Sequence, residues 1–160
     1  MLEFCGQEQC TLDAAGRVKV SAGLLRDFQR HTEGEVVLYC LPEKAIGIYP
    51  PRVWQDMRRA ETGNLSAAGR GMLARRQMRR FGAMSTGAKL TNQGRLTVPP
   101  LFREFAELES GAPVMLVGCE VGAELWSVAR WQAEMGLLQD HAQSKGDMEM
   151  DADLRGDFEG

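Results

Sequence analysis

Two nine-residue segments place an arginine directly after a glycine at corresponding points of the chain. LDAAGRVKV covers residues 12–20 and LTNQGRLTV covers residues 90–98, so Arg17 and Arg95 stand 78 positions apart. A guanidinium group can form paired hydrogen bonds with a phosphate or with the edge of a guanine. In both segments, polar residues precede the glycine and an alternating pattern follows it, which predicts a tight turn leading into a strand. The segments therefore predict two arginines presented on turns.

The glycines have a conformational role at these turns. Gly16 and Gly94 can adopt the positive φ that a tight turn demands, because glycine has no Cβ. Strand alternation then directs the aliphatic side chains that follow to the core and the polar ones to the surface. The residues predicted to face the core are Val18, Val20, Leu96 and Val98, and those predicted to face outward are Arg17, Lys19, Arg95 and Thr97.

The similarity between the two halves extends over about 50 residues. Each arginine strand is followed by a short helical stretch, GLLRDFQ or LFREFAEL, and we expect the helix to begin one residue earlier in the second copy. An apolar strand comes next, VVLYC or VMLVG, and then a strand that ends in an aromatic residue, AIGIY or AELW. Two copies are too few for a solenoid. The pattern instead predicts two halves that pair strands around one core, as a small barrel flanked by helices.

A basic helix is predicted between the halves, within NLSAAGRGMLARRQMRRF. Helical winding at 100° per residue separates an apolar stripe from four arginines. The stripe consists of Leu73, Ala74, Gln77, Met78 and Phe81, and the arginines are Arg75, Arg76, Arg79 and Arg80. Three interpretations remain open, because the arginines could bind phosphates, contact an acidic neighbouring subunit, or simply be solvated. Lys89 extends the basic run toward the second turn.

Charge is strongly segregated along a chain whose net charge is only −3. Residues 52–103 carry 11 basic and 2 acidic side chains, whereas residues 104–160 carry 3 basic and 13 acidic ones. A basic face raises the local potential even on an acidic protein, which favours anionic partners. The final stretch, SKGDMEMDADLRGDFEG, predicts a flexible acidic tail. This tail would either solvate the protein or compete with an anionic partner, such as a nucleic acid, for the basic face.

Other classes of function find little support in the sequence. The four cysteines form no C-x-x-C pair, so we expect no metal and no cofactor. GAMSTGAK resembles a P-loop, but its lysine is not followed by serine or threonine. No nucleophile, base and metal set converges, so an enzyme is not expected. The N-terminus lacks a signal peptide and the longest apolar run, residues 36–41, is far too short for a membrane span, which predicts a cytoplasmic protein without membrane contact.

The ordered set LDAAGRVKV, IGIYPPRVW, LTNQGRLTVPPLFREFA and MLVGCEVGAELW resembles the MraZ family over roughly residues 10–140. These are bacterial transcriptional regulators of the division and cell-wall gene cluster, built from two SpoVT/AbrB-like domains. The D-x-x-G-R signature of the family matches Asp13, Gly16 and Arg17, whereas Thr91 stands where the second copy usually has aspartate. The resemblance implies an α+β, mainly β fold, in which both repeats form one swapped-hairpin, pseudo-dimeric β-barrel flanked by short helices. It also implies a ring-like homo-oligomer that binds short direct repeats in the promoter of its own operon.

We therefore expect a sequence-specific DNA-binding regulator, most simply a nucleoid-associated repressor, that recognises double-stranded DNA. The alternative is an oligomeric protein-binding adaptor on the same barrel with weakened DNA contacts. The expected DNA-binding residues are Arg17, Arg95, Lys19, Asp13, Arg26, Arg103 and Lys89, with Arg75, Arg76, Arg79 and Arg80 as phosphate or subunit contacts and Gly16 and Gly94 as turn residues. The expected divisions are a first repeat over 7–54, a linker helix region over 55–83, a second repeat over 84–132, and a helix end with the acidic tail over 133–160.

Overall fold

A computed structural model describes residues 2–62 and 71–159, and residues 63–70 of the expected linker region lie outside the described residues. The strands are β1 (Gln7–Thr11), β2 (Arg17–Lys19), β3 (Glu35–Leu41), β4 (Ala45–Tyr49), β5 (Ser85–Lys89), β6 (Arg95–Thr97), β7 (Pro113–Gly118) and β8 (Ala123–Ser127). The helices within the described ranges are α1 (Ala22–Gln29), α2 (Pro51–Thr62), α3 (Met72–Ala83), α4 (Pro100–Phe105) and α5 (Val128–Glu159). Strands and helices up to Ser127 form one compact unit, and α5 forms a second.

The larger sheet interleaves the two halves of the sequence. Its six strands have the order β1-β7-β8-β4-β3-β5, and every neighbouring pair is antiparallel. β1, β3 and β4 of the first half correspond to β5, β7 and β8 of the second. Exchanging each strand for its counterpart gives the same order read from the opposite edge of the sheet. The edge strand β1 therefore pairs with the second half, and the edge strand β5 pairs with the first. The predicted α+β fold built from two related halves is confirmed. The sheet is antiparallel, and the fold is mixed rather than mainly β.

A second, two-stranded sheet holds the two Gly-Arg segments together. We call it the arginine ribbon, defined as β2 paired antiparallel with β6. Backbone hydrogen bonds extend the pairing beyond the strands, from the Val20 N–H to the Gly94 carbonyl at 2.7 Å and from the Val98 N–H to the Gly16 carbonyl at 2.8 Å. The ribbon thus joins one turn of each half, which no local pattern in the sequence indicated.

One hydrophobic core lies beneath both sheets and draws on both halves. Val18 and Leu96 face each other across the ribbon and are 1% and 0% exposed. They belong to the same buried cluster as Leu38 and Leu116 of the larger sheet. Outward-facing residues of the ribbon strands are exposed, so the predicted alternation of both strands is confirmed. Burial of each half therefore depends on the other.

The short helices correct one detail of the repeat. The Ser21 side chain caps α1 by accepting a hydrogen bond from the Leu24 N–H at 3.3 Å, and α4 begins after Pro99, where the missing N–H of Pro100 costs nothing. Ser21 and Pro99 stand the same 78 positions apart as the two turn glycines. The expectation that the helix begins one residue earlier in the second copy is therefore wrong. The expectation rested on similar letters in the two helical stretches. The positions of the buried side chains instead show which residues of the two helices correspond.

Helices α2 and α3 pack together beside β3. Three aromatic rings form the contact, with Tyr39 4.6 Å from Trp54 and 5.8 Å from Phe81 between ring centroids. Phe81 is the buried residue of α3, as its stripe predicted, but Leu73 of the same stripe is 76% exposed. Leu73 lies in the first turn of α3, two turns before Phe81, and this turn is not part of the aromatic contact.

The predicted flexible tail is instead helical. α5 continues through residues 144–159 without interruption. The stretch contains no proline, and its alanine, methionine, leucine, glutamate, lysine and arginine residues favour helix, whereas its two glycines and four aspartates do not. Its acidity and weak apolar periodicity indicated disorder, but neither property prevents a helix from extending once it has been nucleated upstream.

Candidate nucleic-acid interface

The outer face of the arginine ribbon carries three cationic side chains. In its register Arg17 is opposite Thr97 and Lys19 is opposite Arg95, while the intervening pair points into the core. All four outer residues are exposed. Directly opposed residues in an antiparallel pair have Cβ atoms about 5 Å apart. The two halves of the sequence thus contribute to one compact basic surface.

The pairing of Lys19 with Arg95 is electrostatically unfavourable in isolation. Like charges directly opposite one another on a sheet destabilise it, and the exposed side chains relieve this only partly by moving apart. A polyanion lying across the ribbon would turn the same arrangement into an attractive one. The ribbon is therefore suited to a negatively charged partner.

Asp13 organises the first turn through three hydrogen bonds. One carboxylate oxygen accepts from the Ala15 and Arg17 N–H groups, both at 2.9 Å, and the other accepts from Arg17 Nε at 3.0 Å. The Asp13 N–H in turn donates to the Arg17 carbonyl at 2.9 Å, and Gly16 adopts φ +79°. Hydrogen bonding by the Arg17 backbone N–H is the main cause that lowers the pKa of the Asp13 carboxyl. The carboxylate therefore holds both the turn and the arginine side chain.

Thr91 performs only part of this role in the second turn. Its hydroxyl accepts from the Arg95 N–H at 3.0 Å, and the Thr91 N–H donates to the Arg95 carbonyl at 3.0 Å. Gly94 adopts φ +82°, so the backbone closely follows that of the first turn. No carboxylate among the described residues forms an ion pair with Arg95. The two turns share a backbone but restrain their arginines differently.

Acid should weaken the first turn selectively. Because the pKa of Asp13 is lowered in the folded state, its stabilising effect is complete above the ordinary aspartate pKa of about 3.9 and is lost as the pH falls toward the lowered value. We expect Asp13→Asn to reduce the melting temperature at pH 7 and to have a shrinking effect below pH 4. Thr91→Val is the matched control, because a hydroxyl does not titrate and its effect should not vary with pH. Thermal unfolding of both variants from pH 7 to pH 3 measures this, and equal pH dependence would contradict it.

Arg103 reaches the first turn from the second half. A methyl group placed on Gly16 would lie 2.7 Å from Arg103 Cζ and 2.9 Å from its Nε, so the guanidinium packs closely on the glycine. Gly16 is thus required both for its positive φ and for this approach. Asp13, Gly16, Arg17 and Arg103 are brought together, although Arg103 belongs to the second half of the chain and the other three to the first.

The remaining predicted residues lie elsewhere. Arg26 lies on α1 in a groove of mixed charge that also includes Glu8 and Asp27. Lys89 ends β5, directly opposite Glu35 of β3. The four arginines of α3 are exposed, and the guanidinium of Arg80 lies 5.9 Å from the centre of the Tyr39 ring. These residues do not form part of the arginine ribbon.

The positions of Thr97 and Arg103 differ from the sequence-based expectation. Thr97 was predicted to face outward but was not counted as a binding residue, and its position opposite Arg17 makes it part of the surface. Alternation in β6 predicts that Thr97 faces outward, but no pattern in the sequence gives the cross-strand register that places Thr97 opposite Arg17. Arg103 was expected as a binding residue without reference to Gly16, because no local spacing links positions 16 and 103.

Nothing in the described part of the chain resembles a metal or membrane site. No group of three or more histidine, cysteine, aspartate and glutamate residues is close enough to hold an ion there. No described helix combines the length and apolar character needed to span a bilayer.

Two partly buried cysteines have raised pKa values. Burial, assisted by Glu8 for Cys10 and by Glu124 for Cys119, raises the pKa of each thiol to about 11. Neither thiol is therefore a ready nucleophile at neutral pH.

Comparison with known proteins identifies one family. Its model, named MraZ and described as "MraZ protein, putative antitoxin-like", matches residues 4–76 and 84–153. A transcriptional regulator MraZ from Pseudoalteromonas translucida is 32% identical over 155 residues, covering 94% of this chain and 96% of that protein. The transcriptional regulator MraZ of Methylobacillus flagellatus is 32% identical over 132 residues, covering 82% of this chain and 86% of that protein. The transcriptional regulator MraZ of Syntrophobacter fumaroxidans is 29% identical over 142 residues, covering 88% of this chain and 89% of that protein.

Proposed function

This chain belongs to the MraZ family, and on that basis we propose that it is a sequence-specific DNA-binding transcriptional regulator rather than an enzyme. The observation that carries the proposal is the arginine ribbon. Three cations contributed by both halves face outward on two short strands, with Lys19 and Arg95 directly opposed. An arrangement that is repulsive alone and favourable against a polyanion supports a nucleic-acid partner.

The ribbon suits the major groove of double-stranded DNA. That groove is wide enough for a two-stranded β-ribbon and presents a distinct donor and acceptor pattern for each base pair. We infer that Arg17 and Arg95 contact guanine edges and that Lys19 binds a phosphate or a neighbouring base. Asp13 orients Arg17 without contacting DNA. Lys89 and Arg26 would lie at the margin of the bound duplex and contribute to phosphate attraction.

The palindromic strand order supports a swapped-hairpin barrel as the scaffold. β1 and β5 each leave their own half to pair with the other, while β2 and β6 pair with each other and bury Val18 and Leu96 in the same core. Such interleaving would hold the two arginine turns in a constant geometry, because neither half can move without exposing apolar surface of the other. We propose that this scaffold accounts for the doubled sequence.

Self-association into a ring is the proposed assembly. α3 exposes Met72 and Leu73 to 67% and 76% beside its arginines, and exposed apolar residues grouped with charges often mark protein contacts. The last third of the chain is strongly acidic, so contact between basic and acidic surfaces of successive subunits would be heterologous and could close a ring. Identical ribbons repeated around such a ring would favour short direct repeats in DNA.

Light scattering tests the assembly directly. We expect a molar mass greater than twice the 17.7 kDa of the chain at micromolar protein concentration and moderate salt. A ring held by basic and acidic surfaces should lose mass as the salt concentration rises, since exposed charge pairs are screened. A monomeric mass under the starting conditions would contradict the ring.

The arginines of α3 provide a further prediction. We expect Arg76→Gln with Arg79→Gln to weaken binding to all DNA sequences alike and to reduce the slope of log affinity against log salt by about two, since each phosphate contact contributes about 0.9. Lys145→Gln, which removes a cation from the acidic helix α5, is the control and should leave the slope unchanged. An unchanged slope together with a smaller molar mass would instead assign these arginines to subunit contacts.

We propose that the regulator acts in the cytoplasm, at the nucleoid, on the promoter of its own division and cell-wall gene cluster, where a bound ring would block transcription. A mobility-shift assay with the DNA upstream of its own gene tests this. We expect retention of that DNA over random DNA of equal length, with an affinity that falls as salt increases. Equal retention of both DNAs would remove the sequence-specific function, and retention of neither would favour the protein-binding adaptor.

A further inference from the structure

Arg103 carries a polar group that packing alone does not explain. Its Nε is buried and has no hydrogen-bond partner among the residues that the structure describes. A buried donor without an acceptor loses its hydration without compensation, so such groups in native proteins usually have a specific reason. The guanidinium of Arg103 lies against Gly16, at the centre of the turn that presents Arg17. This contact joins the second half of the chain to the first turn.

The second turn provides a comparison within the same molecule. By the 78-residue correspondence of the helices, the counterpart of Arg103 is Leu25, and Leu25 indeed lies beside Gly94. A methyl group placed on Gly94 would lie 3.6 Å from Leu25 Cδ2, and its closest contact would be the Val20 carbonyl at 2.8 Å. An aliphatic side chain is therefore sufficient to cover a turn of this shape. The guanidinium at the first turn is not needed for coverage.

We propose that Arg103 is a positioning residue that sets the first turn apart as the dominant sequence-reading element. Its rigid guanidinium plane packs on Gly16 and, together with the Asp13 carboxylate, restricts the turn that carries Arg17. The second turn has Leu25 and Thr91 in the corresponding places, and Arg95 is less restrained. The two arginines of the ribbon are then unequal, with Arg17 discriminating among bases and Arg95 contributing mainly affinity. This inference rests on the proposed DNA-binding function.

The physical basis is preorganisation. A side chain that is already held in its bound orientation loses less conformational entropy on binding, and a fixed guanidinium distinguishes a guanine edge from other bases more sharply. We expect Arg103 to act on DNA through the turn, because its Nε is covered by protein and its guanidinium packs on Gly16. If it bound a phosphate directly, its loss would weaken binding to every sequence equally.

The test is a double-mutant cycle measured as binding to the DNA upstream of the protein's own gene, here called the operator, in competition with random DNA of equal length. Arg103→Leu installs the residue found at the other turn, so the fold should be retained, and equal melting temperatures check this. We expect this change to lower operator-over-random discrimination about tenfold, a coupling typical of residues in contact. In an Arg17→Ala background it should lower discrimination no further. Arg103→Lys should fail to restore discrimination, because an ammonium group lacks the planar surface.

A reciprocal variant tests the asymmetry independently. Leu25→Arg places a guanidinium beside Gly94, and we expect Arg95→Ala to become more costly to discrimination in that background than in the natural chain. Uniform weakening by Arg103→Leu in both backgrounds, with a salt slope reduced by about one, would overturn the proposal in favour of a phosphate contact. Unchanged binding would leave Arg103 as a packing residue. Failure of the natural chain itself to discriminate would instead refute the proposed function.

Discussion

Arg17→Ala should remove most of the ability of the protein to distinguish its operator from random DNA. A bidentate contact from arginine to guanine contributes about 1–3 kcal/mol of discrimination, which corresponds to roughly 5-fold to 150-fold. The expected loss lies at the upper end, because Asp13 already holds the guanidinium at Nε, 3.0 Å away. Arg95→Ala should have a smaller effect, since Thr91 offers its turn only a hydroxyl.

Stability should hardly change in either variant. The Arg17 side chain is 47% exposed, and its ion pair with Asp13 is of the exposed, solvent-screened kind that contributes little to the free energy of unfolding. Arg59→Ala, at an exposed arginine of α2, controls for the loss of one positive charge. Competition titrations of each variant against operator and random DNA, at several salt concentrations, measure the effect. If both ribbon variants kept the discrimination of the natural chain, the doubled segment would serve only to build the core, and the adaptor function would take precedence.

Leu96→Ala should destabilise the whole strand-containing unit and not only the second half. Leu96 is fully buried beneath the ribbon, opposite Val18, and truncation of a buried leucine costs about 2–5 kcal/mol. That is a large share of the roughly 5–15 kcal/mol that stabilises a typical domain. Leu101→Ala, at a position that is 67% exposed, is the matched control and should change the free energy of unfolding by less than about 0.5 kcal/mol.

Cooperativity is the more informative part of this prediction. Trp54 follows the first set of strands and Trp126 ends the second, and both are buried. If one core serves both halves, single-tryptophan versions of the protein should report the same denaturant midpoint for either residue, with and without Leu96→Ala. Protein concentration must be matched, because self-association shifts apparent stability. Separate midpoints for the two tryptophans would show that the halves fold independently.

Structural features that depend only on a short segment of the chain were predicted correctly from the sequence. Alternation correctly assigned the buried and exposed sides of the ribbon strands, because side chains in a strand alternate regardless of the pairing partner. The positive φ at Gly16 and Gly94 followed from the turn pattern, and burial of Phe81 followed from helical periodicity. The segregation of charge was likewise visible. Each of these features depends on neighbours within about one turn of helix or one strand.

Burial by neighbours decided several features that local patterns misjudged. The letters of the helical segments suggested an unequal spacing, whereas the shared core places α1 and α4 at equal distances from their turns. Leu73 matched an apolar stripe, yet no partner covers the first turn of α3, so the side chain remains exposed. Conversely, acidity and weak apolar periodicity suggested a disordered end, but α5 continues without interruption to Glu159.

The chain by itself thus determined two glycine turns, two outward arginines and an α+β fold made of related halves. Only the tertiary structure decided that β2 pairs with β6, that Lys19 faces Arg95, and that Arg103 packs on Gly16. The reason is that strand partners and their register are set by which side chains of distant segments are buried together. A shift of one residue in either ribbon strand would turn Val18 or Leu96 to the surface and an arginine to the core. That penalty exists only once both halves enclose a common interior.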